Sequence, residues 1–199
     1  MKINKNFSYV AKGKRSIVYV KKIKNKKIAY KVVLDINRTS NVIKNEYKFL
    51  KLLNKYNIGP KVLKKGKDYV SYEFIEGKNF IDVLSENNPK LIKKLIKDVL
   101  SQCYKLDKLK INKEEFHRPK KHILIQKNSP VIIDFERSHF SDNPKNVTQF
   151  CQFLILKNTK KILIKHNIII NKEDMIENLK IYKRSLSYKD FIKIIKIIK

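Results

Sequence analysis

Short apolar runs with strand-like spacing fill the first third of the chain. Phe7 to Val10, Ser16 to Lys22 and Lys27 to Leu34 are β-branched and aromatic, and polar segments part them, so three strands are predicted. From Asn41 to Tyr56 the spacing changes to that of a helix. Val42, Tyr47, Phe49, Leu50, Leu52 and Leu53 make a broad apolar face, with Ser40 placed to cap it. The helix is predicted to stop before Asn57-Ile58-Gly59-Pro60. Two further strands, Lys61 to Lys65 and Tyr69 to Ile75, flank a turn at Gly66. The first part of the chain thus reads βββαββ.

Beyond Glu76-Gly77-Lys78 helices take over. Phe80 to Ser85 and Pro89 to Leu109 are predicted helical, the second with Leu91, Leu95, Ile96, Val99, Leu100 and Tyr104 at core spacing. A polar stretch, Asn112 to His122, precedes two short apolar runs, Ile123 to Ile125 and Val131 to Ile133, joined by a turn at Asn128-Ser129-Pro130. Val147 to Lys157, Lys172 to Tyr182 and Tyr188 to Lys199 complete the helices. The expected fold class is α+β, one domain with a β-rich part over about 1–76 and a helical part over about 77–199.

Charge adds a question about partners. The 199 residues carry 47 Lys+Arg against 18 Asp+Glu, a net charge of +29, and only five of the 47 are arginine. Such a balance suits an anionic partner, RNA among them. A nucleic-acid reader ordinarily spends arginine on phosphates and bases, so biased composition is the competing explanation. The last helix sets Lys189, Lys193, Lys196 and Lys199 opposite Phe191, Ile192, Ile195 and Ile198, either a solvated face or a strip for RNA or a membrane surface. Two cysteines, Cys103 and Cys151, make neither a disulfide framework nor a zinc quartet. No apolar run follows the first residues and none reaches bilayer length, so a cytoplasmic protein without a transmembrane segment is expected.

Several charges stand where a strand or a turn does not need them. Lys31 interrupts the apolar strand Ile28 to Val33, and a buried lysine needs a partner to keep its charge. Glu46, fifteen residues on, is on the next helix; the alternative is a lysine on a solvent face. Gly13, Lys14 and Ser16 belong to a turn between two strands whose amides are suited to phosphate. Asp134 directly follows a buried strand, where a hard carboxylate oxygen suits Mg²⁺ beside phosphates.

In this order, these features resemble the eukaryotic-type protein-kinase-like superfamily. The likeness is to its small archaeal members, predicted Ser/Thr kinases related to RIO kinases and to the small kinase of the KEOPS tRNA-modification complex. It runs from about Tyr9 to Phe140. The resemblance implies a two-lobed fold with a small β-rich lobe and a reduced helical lobe. It implies ATP and Mg²⁺ as cofactors, Lys31 as the phosphate-anchoring lysine, Glu46 as its helix partner and Gly13 to Tyr19 as a degenerate glycine-rich loop. Tyr72 becomes the residue behind the adenine, the Glu73 and Ile75 backbones its hydrogen-bonding partners, and Asp134-Phe135-Glu136 the equivalent of Asp-Phe-Gly.

The catalytic loop departs from that pattern. Counted back from Ile123, the metal-binding asparagine is replaced by His122 and the aspartate base by His117, with Glu115 at the loop histidine. Imidazole serves as a general base near neutral pH and as a metal ligand. His117, with Glu115 as its alternative, is therefore the expected base, and His122 joins Asp134 as a metal ligand. No long activation segment and no Ala-Pro-Glu motif follow Phe140. The expected activity is phosphoryl transfer from ATP to a Ser/Thr hydroxyl on itself or on a protein acceptor. The alternatives are a nucleotide-binding pseudokinase and an RNA-associated ATPase-like module.

Overall fold

The computed structural model describes residues 1, 3–86, 88–116 and 119–199, with the backbone alone for 36–40. The chain is α+β and divides into two units, Met1–Glu76 with Val131–Ser138, and Gly77–Pro130 with His139–Lys199. The segment Val131–Ser138 thus belongs with the β-rich unit, although sequence of the second unit lies on both sides of it.

In the first unit, β1 (Ser8–Lys12), β2 (Ser16–Ile23), β3 (Lys26–Val33), β4 (Val62–Lys65) and β5 (Tyr69–Glu73) form one sheet in the order β1-β2-β3-β5-β4. Every pairing is antiparallel. β3 lies third in that order, with Lys31 opposite Val18 of β2 and Val70 of β5. The helix α1 (Ile36–Leu53) packs on β3, β4 and β5. It starts five residues before the predicted Asn41, because no glycine or proline separates Leu34 from the apolar stripe; Ser40 is inside the helix and is not its cap.

The turn out of α1 is built by side chains. Asn57 closes the helix end in a left-handed conformation, φ 57°. Asn54 Nδ2 donates to the carbonyls of Ile58 (3.2 Å) and Pro60 (3.0 Å), while its Oδ1 accepts from the Val62 amide (2.8 Å). Gly59, at φ +76°, has no room for a side chain: a Cβ would stand 2.8 Å from Leu50 Cδ2 and 3.1 Å from the Phe135 ring.

The second unit begins at β6 (Lys78–Asn79), α2 (Phe80–Glu86) and α3 (Pro89–Lys108). Asn88 caps α3, its Oδ1 accepting from the Leu91 amide at 2.9 Å. β7 (Ile111–Asn112) and β8 (Ile123–Gln126) follow, then β9 (Ser129–Ile132), which leads into the first unit, and β10 (His139–Phe140) pairs with β7. The turn after β8 lies at Lys127 and Asn128, both with positive φ, one residue before the predicted Asn128-Ser129-Pro130. The rest is α4 (Asn146–Ile155), α5 (Lys157–Lys165), α6 (Lys172–Ser185) and α7 (Tyr188–Ile197). The pattern did not predict α5. Only Thr159 and Leu163 of it are buried, so its stripe is too narrow to stand out among its lysines.

Asp107 ties this unit together. One of its carboxylate oxygens accepts from the Asn146 amide (3.0 Å) and from Asn146 Nδ2 (2.7 Å). The other accepts from the Val147 amide (3.3 Å) and the Tyr182 hydroxyl (2.9 Å). A carboxylate from the end of α3 thereby caps α4 and holds α6. Burial raises the Asp107 pKa, and these hydrogen bonds oppose that rise. Among the described residues, no helix is long and apolar enough to cross a membrane.

Candidate functional site

Two periodicities meet at Lys31. In β3 the side chains alternate, so buried Ala29, Lys31 and Val33 share a face. In α1 the buried stripe runs through Ile43, Glu46, Leu50 and Leu53, at steps of three and four residues. A glutamate in that stripe faces a lysine on that strand. Lys31 Nζ lies 2.5 Å from Glu46 Oε2, and the two residues are only 5% and 1% exposed. Lys31 is not on a solvent face.

The segment Val131–Ser138 brings two more carboxylates to the same ammonium. Asp134 Oδ1 is 2.8 Å and Glu136 Oε2 2.7 Å from Lys31 Nζ. Asp134 stands at φ +66°, a left-handed conformation that costs a side-chain-bearing residue energy unless its surroundings enforce it. Those surroundings are visible. The Phe135 amide donates to Glu46 Oε1 at 3.3 Å, and the fully buried Phe135 ring packs against Gly59. Asn45 Nδ2 donates to the carbonyls of Glu136 and Ser138, 2.8 Å each. Consecutive residues of α1, Asn45 and Glu46, thus hold the residues that directly follow Asp134.

Burial alone would discharge the Lys31 ammonium, but Glu46, Asp134 and Glu136 outweigh it and hold its pKa well above the ordinary lysine value. Burial raises the Glu46 pKa, partly offset by Lys31. Burial, reinforced by Glu46, raises that of the Tyr72 hydroxyl. Three carboxylates around one ammonium leave uncompensated negative charge. Ligand oxygens of Glu46, Asp134 and Glu136 lie within 4.8 Å of one another. Hard oxygen donors with excess negative charge fit a divalent cation such as Mg²⁺. Asp134 has the most open carboxylate of the three, 36% exposed against 1% for Glu46 and 13% for Glu136.

The other expected residues fall as follows. Gly13 and Lys14 are exposed in the turn between β1 and β2, where the Gly13 amide donates to the Ser16 carbonyl at 2.8 Å; Ser16 itself is buried. Tyr72 is half-buried against Val33, Ile43 and Val70. The Glu73 amide donates to the Lys61 carbonyl (2.9 Å) and the next amide, of Phe74, to Lys27 (3.0 Å). The Glu73 amide is therefore taken up within the unit, and Ile75 beyond it is half-buried. Glu115 and His122 belong to the second unit. Glu115 occupies an exposed turn at φ 63°, and the His122 amide closes a short helical turn by donating to the Pro119 carbonyl at 2.9 Å. His117 lies outside the described residues.

Sequence reasoning missed Asn45 and Arg15. Arg15 NH1 stands 3.6 Å from Glu136 Oε1 and so joins the β1–β2 turn to the segment after Asp134. Neither residue carries a pattern of its own; only adjacency to Glu46 and to the turn glycine marks them. No protein-family model matches this chain, and no curated protein matches it either.

Proposed function

We propose that this protein is a small two-lobed kinase-like phosphotransferase, which binds ATP with Mg²⁺ and passes the γ-phosphoryl group to a Ser/Thr hydroxyl. One observation carries the reading: a strand lysine paired with a helix glutamate, with an Asp-Phe-Glu segment bonded to the same glutamate and aspartate on the same lysine. This is the arrangement that positions a lysine on nucleotide phosphates and a carboxylate on their metal. Lys31 anchors phosphate oxygens, Glu46 orients Lys31, and Asp134 supplies a metal-binding carboxylate. Bound Mg²⁺ would neutralise phosphate charge there. Tyr72 backs the base, Glu73 and Ile75 line it, and Gly13, Lys14 and Ser16 cover the phosphates.

On the acceptor side the proposal rests on the sequence alone. The acceptor oxygen bonds to the γ-phosphorus, the bond to the ADP oxygen breaks, and the hydroxyl proton passes to His117 or Glu115. His122 is the further metal-ligand candidate. The test is incubation of the purified protein with γ-labelled ATP, Mg²⁺ and a cell extract. Label should enter the protein or one extract protein, and Lys31→Ala should abolish the incorporation. Binding of ATP without any transfer would make the chain a nucleotide-binding module, and absence of ATP binding would end the reading. Retention of RNA that falls steeply with salt would add a nucleic-acid role for the lysine-rich surface.

A further inference from the structure

Glu136 occupies a place that the proposed reaction does not use. Its two carboxylate oxygens are divided between two cations. Oε2 lies 2.7 Å from Lys31 Nζ and Oε1 3.6 Å from Arg15 NH1. Lys31 belongs to the middle of β3, and Arg15 to the turn that leads into β2. A side-chain anion thus bridges a strand lysine and a turn arginine, the pair of cation types that binds phosphate oxygens. Its carboxylate is 13% exposed, so water screens it poorly.

We infer that Glu136 is a specificity-determining residue that acts as an internal anion. It holds Arg15 and Lys31 against polyphosphate and makes phosphate binding depend on a divalent cation. The inference rests on the function proposed above and goes beyond it. Three carboxylates against one buried ammonium repel a metal-free polyphosphate, and both cations it would use are already neutralised. A divalent ion on Asp134 reverses the balance. The polyphosphate then displaces Glu136 from Lys31 and Arg15. Space for the displaced side chain exists, because Glu136 also lines a cavity of about 340 Å³ together with Lys44 and Lys48 of α1. Asn45 holds Glu136 by its backbone carbonyl and not by its carboxylate, so the side chain turns without unseating the backbone.

The probe is inorganic tripolyphosphate, titrated calorimetrically into parent protein and Glu136→Gln with and without Mg²⁺. Without Mg²⁺, Glu136→Gln should bind about tenfold more tightly than the parent, the scale of one charge-assisted hydrogen bond. The gain should be much smaller with Mg²⁺. Glu76→Gln, the loss of an exposed charge in the same unit, should leave both affinities unchanged. Adding Arg15→Gln, on a half-exposed side chain, should remove much of the gain. Equal metal-free affinities in Glu136→Gln and parent overturn the inference, as does no tripolyphosphate binding by either protein. Weaker binding of the variant in Mg²⁺ overturns it too, because Glu136 would then be a metal ligand. If the tenfold gain appears but ATP binds no better than tripolyphosphate, the inference stands and the nucleotide reading falls.

Discussion

Glu46 accepts from the Phe135 backbone amide at 3.3 Å through one oxygen and from Lys31 Nζ at 2.5 Å through the other. A single buried carboxylate therefore couples a strand, a helix and a segment almost ninety residues away in sequence. Because it also stands beside Asp134 and Glu136, any change at Lys31 is felt by three carboxylates.

Replacing Lys31 with methionine should destabilise the protein by about 3–5 kcal/mol near neutral pH, the cost of stranding buried charge. The folded-state pKa of Lys31 is raised, so its stabilisation is complete below the unfolded value of about 10.4 and fades as pH rises through the folded one. The stability gap between parent and Lys31→Met, measured by urea unfolding, should therefore narrow above that pH. A gap that widens there would show that the ammonium is not held by the carboxylates.

Asp134→Asn keeps the shape of the side chain and removes the charge. Thermal unfolding of the parent should shift upward with Mg²⁺ and ATP together, while the variant should show little or none of that shift. Its unfolding without ligand should change little, since Asp134 is the most open of the three acids. Equal Mg²⁺-dependent shifts in both proteins would remove Asp134 from the metal role.

Asn45→Ala deletes two hydrogen bonds to the Glu136 and Ser138 carbonyls. The loss should be about 1–2 kcal/mol. Hydrogen exchange should accelerate in the segment 135–138, where these bonds end, more than in β2 or β3. Uniform acceleration would mean that Asn45 supports the whole unit.

In the second unit Asp107→Asn tests the cap on α4. An amide offers one acceptor oxygen where the carboxylate offers two, and its NH₂ meets either the two Asn146 donors or the Val147 amide and the Tyr182 hydroxyl. A loss of about 2–3 kcal/mol is expected in chemical denaturation. Tripolyphosphate binding by the folded variant should match that of the parent.

Gly59→Ala should cost about 1–3 kcal/mol, from a positive φ and a Cβ pressed on Leu50 and Phe135. Because Phe135 follows Asp134, the substitution should also weaken any Mg²⁺-dependent ligand stabilisation.

Local spacing was enough to determine most elements. Short β-branched and aromatic runs marked the five strands of the sheet, and the apolar stripe from Val42 to Leu53 marked α1, since such residues suit a pleated strand and a helical stripe records which side meets the core. Lys31 inside an apolar strand was legible because a charge in a buried row needs a partner, and Glu46 on the next helix was the carboxylate offered to it. Where the pattern was thin it failed, as at α5, whose buried face is two residues wide. Only the tertiary structure decided that Val131–Ser138 belongs with the β-rich unit and that Asp134 and Glu136 close on Lys31, since Glu136 and Lys31 stand over a hundred residues apart. Arg15 and Asn45 were invisible beforehand because an exposed arginine and a lone helix asparagine acquire meaning only from what the folded chain sets against them. Contacts between distant segments arise from packing, and packing leaves no period in the sequence.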